Sequence, residues 1–155
     1  MTLLHMSITA RSPKAMAEAI ARLSGGTALP FPPCPGAWIA FTADDDGTAV
    51  EVYPSGTRLA RGAKAVSFQS GPPDRSPSAT HLALASPLDV AGIETVAEAA
   101  GWLCRRCDRG PFECLEIWTG EDLLLEVLDP SMLAAYRRNM TTARWRDMFG
   151  LDVPQ

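Results

Sequence analysis

The distribution of apolar residues along the chain predicts short strands and amphipathic helices in a repeated order. Alternation with period two indicates a strand, and recurrence every three to four residues indicates a helix. In the first predicted helix Met16, Ile20 and Leu23 recur at helical spacing. The predicted elements of the first half are a strand over residues 2–10, a helix from Ser12-Pro13 to Gly25-Gly26, a strand over 37–42, a turn at Asp45-Asp46-Gly47 and a strand over 48–53.

A connector rich in Gly, Pro, Ser and basic residues separates this half from a second half that repeats the pattern. The connector covers residues 55–78, where Gly71-Pro72-Pro73 and Ser76-Pro77 oppose regular structure. One short strand is predicted within it, near residues 65–69. The elements predicted after it are a strand over 79–85, a helix from Ser86-Pro87 to Gly101, strands over 103–107, 112–118 and 123–128, and a last helix over 131–149.

The two halves also match in their polar residues. A shift of 76 residues places His5 on His81, and a shift of 75 places Glu51 on Glu126. His5 should face away from the helices, because alternate residues of a strand point to opposite faces and its neighbours are apolar. Each glutamate lies between aliphatic residues, where a buried carboxylate needs a partner. We therefore predict that His5, Glu51, His81 and Glu126 together bind a divalent metal ion (Zn, Ni, Co, Mn or Fe), because imidazole and carboxylate suit these ions.

A histidine on the first strand and a glutamate on the fourth strand of each half is an arrangement that resembles the vicinal oxygen chelate superfamily, which includes glyoxalase I, bleomycin-resistance proteins and extradiol dioxygenases. The resemblance covers about residues 2–130. It implies an α+β fold in which paired βαβββ modules form an eight-stranded open αβ-barrel, with a C-terminal helix added. The implied domain covers residues 1–130, with modules over 1–54 and 79–130 around the connector, followed by a helical extension over 131–155.

The resemblance implies a metal-dependent lyase or isomerase that binds two vicinal oxygens of a small substrate, with Glu126 or Glu51 as the base that moves a proton. One alternative is a ligand-sequestering protein of the bleomycin-resistance type. Another is an Fe(II) dioxygenase, which uses two histidines and only one carboxylate. Four candidate ligands favour the first function. Glutathione is not the expected substrate, because Thr9 stands where glyoxalase I carries an arginine four residues after its first ligand.

Composition and charge exclude several other classes of function. The net charge is −4, and basic residues form no extended cluster of the kind that binds nucleic acid or an anionic membrane. No apolar run reaches the roughly 20 residues needed to span a bilayer. The first residues lack the features of a signal peptide, so we expect a cytoplasmic protein. We accordingly expect four reduced thiols, at Cys34, Cys104, Cys107 and Cys114.

Three further features have two interpretations each. Cys104-x-x-Cys107 is typical of zinc or redox sites, but no fourth cysteine or nearby histidine completes such a site, and small core residues are the favoured interpretation. Arg105, Arg106 and Arg109 could bind a carboxylate or phosphate, or could form a solvated turn. The apolar stripe on the last helix should either cap the barrel or pack on a second subunit, and we predict a homodimer. That stripe contains Met132, Tyr136, Met140, Trp145, Met148 and Phe149.

Overall fold

The computed structural model of the chain describes residues 4–44, 46–61, 66–72, 81–120 and 123–150. Two βαβββ modules follow one another in it, as the repeat predicted, with a hairpin between them and two helices after them. The elements are β1 (His5–Ala10), α1 (Pro13–Ser24), β2 (Thr27–Pro30), β3 (Trp38–Phe41), β4 (Ala49–Pro54), β5 (Thr57–Arg61), β6 (Val66–Ser70), β7 (His81–Ala85), α2 (Val90–Ala99), β8 (Leu103–Asp108), β9 (Glu113–Trp118), β10 (Leu124–Leu128), α3 (Pro130–Asn139) and α4 (Thr142–Phe149).

Each module forms its own four-stranded sheet. The strand orders are β1-β4-β3-β2 and β7-β10-β9-β8, so the first and fourth strands of each module are adjacent. These adjacent strands run parallel, and the other neighbours are antiparallel. In the part of the chain that the structure describes, the eight strands form two separate sheets and no closed barrel. The predicted modules are therefore present without being joined into one continuous sheet.

Helices α1 and α2 pack on one face of the sheets and connect the two modules. Helix α1 contacts β2, β3 and β4 of its own sheet, and it also contacts α2 and β7. The apolar side chains on these faces form one core that extends through both modules. Its largest fully buried members include Ile20, Leu23, Val52, Ile93, Leu115, Ile117, Leu125 and Val127. The modules are thus held together on their helix-covered sides.

Two helix boundaries differ from the prediction because polar caps decide them. Helix α2 begins at Val90 rather than at Ser86-Pro87, since Oδ1 of Asp89 accepts a hydrogen bond from the Gly92 amide at 2.8 Å. The predicted last helix is two helices, because Oγ1 of Thr141 accepts a hydrogen bond from the Arg144 amide and starts α4. In each case the cap satisfies an amide that has no partner within the helix.

The hairpin β5–β6 was mostly missed by the sequence analysis, which predicted only its second strand. Glycine made the connector look irregular, but here it permits a close approach of two strands. The Gly71 amide donates to the Gly56 carbonyl at 2.8 Å, and a Cβ on Gly56 would lie 2.1 Å from the Gly71 oxygen. Asp45 of the predicted turn and residues 73–80 lie outside the described residues. No helix in the described ranges is long and apolar enough to cross a membrane.

Asp129 caps α3, and its replacement gives a first test of the structure. Its Oδ1 accepts hydrogen bonds from the Met132 amide at 2.8 Å and from the Ser131 hydroxyl at 2.7 Å. Asp129→Ala should lower the free energy of unfolding at pH 7 by about 1 kcal/mol, whereas Asp129→Asn, which keeps an acceptor oxygen, should change it much less. Urea denaturation measures both values.

The same variants test the effect of pH. Burial acts to raise the pKa of Asp129, but hydrogen bonds from Met132 and Ser131 outweigh burial and lower it. A lowered pKa in the folded state means that this stabilisation is present above the usual carboxyl pKa of roughly 4 and is lost as the pH falls through the folded-state value. The difference in the free energy of unfolding between wild type and Asp129→Ala should therefore be smaller at pH 3 than at pH 7. An equal difference at both pH values would contradict the role of the Asp129 carboxylate as the cap of α3.

Candidate functional site

The four predicted ligands lie on the sheet faces opposite α1 and α2. His5 is exposed on β1, whereas Ile8, on the other face of the same strand, is buried, as predicted. We call these surfaces the His–Glu faces. On the first sheet the His–Glu face contains His5, Ser7, Thr9, Leu29, Ile39, Glu51 and Tyr53, and on the second it contains His81, Ala83, Leu103, Arg105, Cys107, Cys114, Glu116, Trp118, Leu124 and Glu126.

The two modules position their histidine and glutamate in the same way. In the first sheet Glu51 pairs with Ser7, which is two residues after His5. In the second sheet Glu126 pairs with Ala83, which is two residues after His81. Paired residues on adjacent strands share a face, so each module presents one imidazole and one carboxylate in the same register. The repeat in the sequence is therefore also a repeat in geometry.

The structure does not bring the four predicted ligands into one cluster. Within the described ranges, no group of three or more His, Cys, Asp or Glu side chains is arranged to hold a metal ion. The packing of the modules explains this, because they meet through α1, α2 and β7 rather than through their His–Glu faces. Each pair has donors that suit a divalent ion, one nitrogen and one oxygen, so each fits half of a metal site.

Glu51 is held by two hydroxyl groups. The Ser7 hydroxyl donates to its Oε2 at 3.0 Å, and the Tyr53 hydroxyl donates to the same oxygen. Burial, together with the hydrogen bond to Glu51, raises the pKa of Tyr53 to about 12, so this hydroxyl remains a donor at neutral pH. The Tyr53 ring also packs against Phe31 and Phe68, which fixes its position. Both donors contact Oε2, and this leaves Oε1 of Glu51 to other partners.

Glu126 has a charged partner instead. Nε of Arg109 donates to its Oε1 at 2.9 Å, and Nη2 of the same guanidinium lies 2.6 Å from Oε1 of Glu116. Arg105 contacts the other oxygen of Glu116. Glu116 and Glu126 are only 4% and 8% exposed, and the two guanidinium groups balance their charges. The second half-site is thus an ion-pair network of four side chains.

Two members of this network, Glu116 and Arg109, stabilise each other's charged form. Burial acts to raise the pKa of Glu116, but hydrogen bonds from Arg105 and Arg109 outweigh it and lower the pKa. Burial acts in the opposite sense on Arg109, whose pKa is nevertheless raised by its hydrogen bonds with Glu116 and Glu126. At neutral pH Glu116 is therefore a carboxylate and Arg109 a guanidinium, and the two form a partly buried ion pair.

The equivalent rows of the two His–Glu faces differ in chemistry. Where Glu51 has Ile39 and Leu29 beside it on the first sheet, Glu126 has Glu116 and Arg105 beside it on the second. Glu116 was not among the site residues predicted from the sequence. The signal was present, because Glu116 lies between Leu115 and Ile117 on a predicted strand, as Glu51 and Glu126 lie between aliphatic residues on theirs.

The predicted arginine cluster divides between two faces of the sheet. Arg105 and Arg109 join the network, whereas Arg106 points to the other face and forms an exposed ion pair with Glu113. Cys104 and Cys107 also alternate in this way, as expected for residues three apart on a strand. Cys107 lies directly opposite Cys114 on the His–Glu face, and all four cysteines are free thiols.

Helix α3 packs on the last two strands of the second sheet. It contacts β9 and β10, and the Tyr136 ring packs edge-on against Phe112 with the centroids 4.7 Å apart. Met132 of the same helix is buried in the core. The first part of the predicted apolar stripe therefore packs on the chain itself. The second part stays exposed on α4, where Trp145 and Phe149 contact each other.

Solved structures share this fold, although no protein-family profile and no curated protein sequence matches the chain. The fosfomycin resistance protein FosX from Listeria monocytogenes, complexed with Mn(II) and sulfate, has a TM-score of 0.56 and 10% sequence identity, covering 88% of this chain and 96% of that one. A glyoxylase/bleomycin resistance/dioxygenase domain from Frankia sp. has a TM-score of 0.54 and 14% identity, covering 83% and 97%. At such identities the likeness establishes the fold.

Proposed function

Because the chain has the fold of the vicinal oxygen chelate superfamily, we propose that it is a metal-dependent enzyme of that type, a lyase or isomerase acting on a small substrate with two vicinal oxygens. The observation that carries the proposal is the repeated geometry of one histidine and one glutamate on each sheet. A neighbour in fold, FosX from Listeria monocytogenes, has been solved with Mn(II). The ion in this chain would be Mn, Zn, Ni, Co or Fe.

In this proposal His5, Glu51, His81 and Glu126 hold the ion, which when bound would act as a Lewis acid toward a substrate carbonyl. Glu51 or Glu126 would remove the proton beside that carbonyl. Glu51 is oriented for either role, because Ser7 and Tyr53 fix its Oε2 and leave Oε1 available. Such outer hydrogen bonds set the direction and the basicity of a ligand carboxylate.

We also propose that two copies of the chain form a homodimer through their His–Glu faces. In the described part of the chain the modules join on the helix-covered sides, through α1, α2 and β7, and the His–Glu faces lie on the opposite sides of the two sheets. Both faces expose large apolar residues, with Leu29 49% and Leu103 59% exposed. A second copy that covered them would bury this apolar surface and bring the pair His5 and Glu51 of one subunit toward the second pair of its partner.

A ligand-sequestering protein is the second candidate. It is favoured by the ion pair between Arg109 and Glu126, because a carboxylate neutralised by a guanidinium is a weaker base and a weaker ligand. In that case the His–Glu faces would enclose a small molecule without converting it. Conversion of a bound small molecule would indicate the enzyme, and binding without conversion would indicate the sequestering protein.

Metal analysis tests the proposal directly. Protein purified without chelator should hold about one equivalent of a divalent ion per chain by inductively coupled plasma mass spectrometry. After the metal has been removed by a chelator, titration with Mn²⁺, Ni²⁺, Co²⁺ or Zn²⁺ should restore about one bound ion per chain. A protein that holds no metal and rebinds none of these ions would overturn the proposed function. Ligand binding without turnover under every ion would favour the sequestering protein.

Glutathione chemistry should be slow even with metal bound. We expect kcat/KM for methylglyoxal with glutathione to stay below the order of 10⁵ M⁻¹s⁻¹, within the lower part of the usual enzyme range. The reason is Thr9, which cannot form the charge-assisted contact that an arginine makes with a carboxylate, a contact worth roughly 1.5–3 kcal/mol. An efficient reaction with any reconstituted metal would show that another arginine replaces it.

A further inference from the structure

Arg109 engages Glu126 at one of the oxygens that a metal ion would need. Its Nε and Nη2 lie 2.9 and 2.8 Å from Oε1 of Glu126. We propose that Arg109 is a resident counter-cation, which competes with the divalent ion for Glu126 and so sets the metal affinity of the second half-site. The inference rests on the proposed function, because it concerns how that same site accepts its ion.

The network contains a second position for Arg109 once Glu126 is taken. Nη2 of Arg109 already contacts Glu116 at 2.6 Å, so the guanidinium keeps a carboxylate partner after it leaves Glu126. Arg105 satisfies the other oxygen of Glu116 throughout. The Arg109 side chain is 30% exposed, so part of it already faces solvent. Exchange therefore breaks both contacts with Glu126 but leaves Arg109 paired with Glu116, so no buried charge is left without a partner.

The first half-site differs in this respect. The donors to Glu51 are the hydroxyls of Ser7 and Tyr53, which are neutral and can stay in place when Oε1 binds an ion. Arg109 must instead give up its contact with Glu126. The two halves share a geometry, yet one carboxylate is held ready and the other is already occupied by a cation. The metal affinity of the whole site is consequently limited by the second half.

A matched pair of variants tests the inference. Chelator-treated wild type, Arg109→Gln and Arg106→Gln are titrated with Mn²⁺ by isothermal calorimetry. Arg106 is the control, because it also forms an ion pair with a glutamate, but it contacts Glu113 on the other face of the sheet. Both variants lose one positive charge, so a change seen only in Arg109→Gln comes from the contacts of Arg109 with Glu126 and Glu116 and not from the net charge. Arg109→Gln should bind Mn²⁺ about tenfold more tightly or better, and Arg106→Gln within threefold of wild type.

A measurement on the wild type keeps the test valid if Arg109→Gln does not fold. During a titration with diamagnetic Zn²⁺, the NMR signal of the Arg109 Nε–H should shift as its bond to Glu126 breaks. The Arg106 Nε–H, bonded to Glu113, should not move.

The outcomes separate the two proposals. If wild type binds metal but Arg109→Gln binds no more tightly than Arg106→Gln, or if the Arg109 signal is unmoved at saturation, the inference is overturned and the proposed function stands. If only Arg109→Gln binds metal, the counter-cation role is supported in its strongest form. Failure of all three proteins to bind Mn²⁺ or Zn²⁺ removes the proposed function, and the inference with it.

Discussion

His81→Ala should lower the bound metal to a small fraction of an equivalent per chain and weaken metal binding by at least about 100-fold. Loss of an outer partner of a ligand already costs 10–100-fold, and loss of the ligand itself should cost more. The same result is expected for His5→Ala. Both histidines are exposed on edge strands, so neither substitution should lower the free energy of unfolding appreciably. Equilibrium dialysis followed by metal analysis gives the occupancy and the affinity.

Thr9→Ala is the matched control for His5→Ala. Thr9 lies on the same face of β1 and is also exposed, but it is not a predicted ligand. The Thr9→Ala protein should bind metal as wild type does. Thermal denaturation of the metal-free proteins should show that His5→Ala, His81→Ala and Thr9→Ala are all folded. A His81→Ala protein with full occupancy at wild-type affinity would remove His81 from the set of ligands.

Leu103→Asp should turn the proposed homodimer into a monomer at micromolar concentration and lower its metal content at the same time. The new carboxylate would lie in the row that contains Trp118, Leu124 and His81, on the face we propose to be covered by the partner. Burying an unpaired charge there costs several kcal/mol, which corresponds to more than about a 100-fold rise in the dimer dissociation constant. Sedimentation velocity measures the change.

Leu59→Asp is the control for this prediction. Leu59 is exposed to nearly the same extent, 58%, but it lies in the β5–β6 hairpin and on neither His–Glu face. This variant should remain dimeric and keep its metal. A wild-type chain that sediments as a monomer at micromolar concentration would count decisively against the homodimer, and with it against a metal site shared between subunits.

Local patterns predicted most elements of the modules, although not β2, because strand alternation and helix periodicity depend on neighbouring residues. The exposed face of His5 followed from the apolar residues beside it, and the end of α1 followed from Gly25, whose backbone is left-handed. Elements set by side-chain caps were less predictable. Asp89 and Thr141 each compete with other polar residues nearby, and only the folded backbone decides which of them caps a helix.

The partner of Glu126 shows where sequence reasoning ends. A glutamate among aliphatic residues needs a partner, and this much the sequence predicted. For Glu126 that partner is a cation. Whether the cation is a metal ion or a guanidinium depends on where a long side chain reaches. Arg109 lies in a turn and its guanidinium extends over β9 to Glu126 on β10, a contact that no spacing along the chain reveals. The relative orientation of the two sheets also does not follow from spacing along the chain, because the repeat defines each module but not how the modules face each other.

The unlike rows beside Glu51 and Glu126 also have a stereochemical consequence. Two identical halves would form a site with two-fold symmetry, in which a small substrate binds equally well in either of two orientations. Leu29 and Ile39 on one half, and Arg105 and Glu116 on the other, remove that symmetry. In the proposed enzyme, a substrate with one apolar and one polar end would then have a single preferred orientation, and a base on one side would deliver its proton to one prochiral face. Such a difference between the halves is possible because each half has its own sequence, so that a substitution in one leaves the other unchanged.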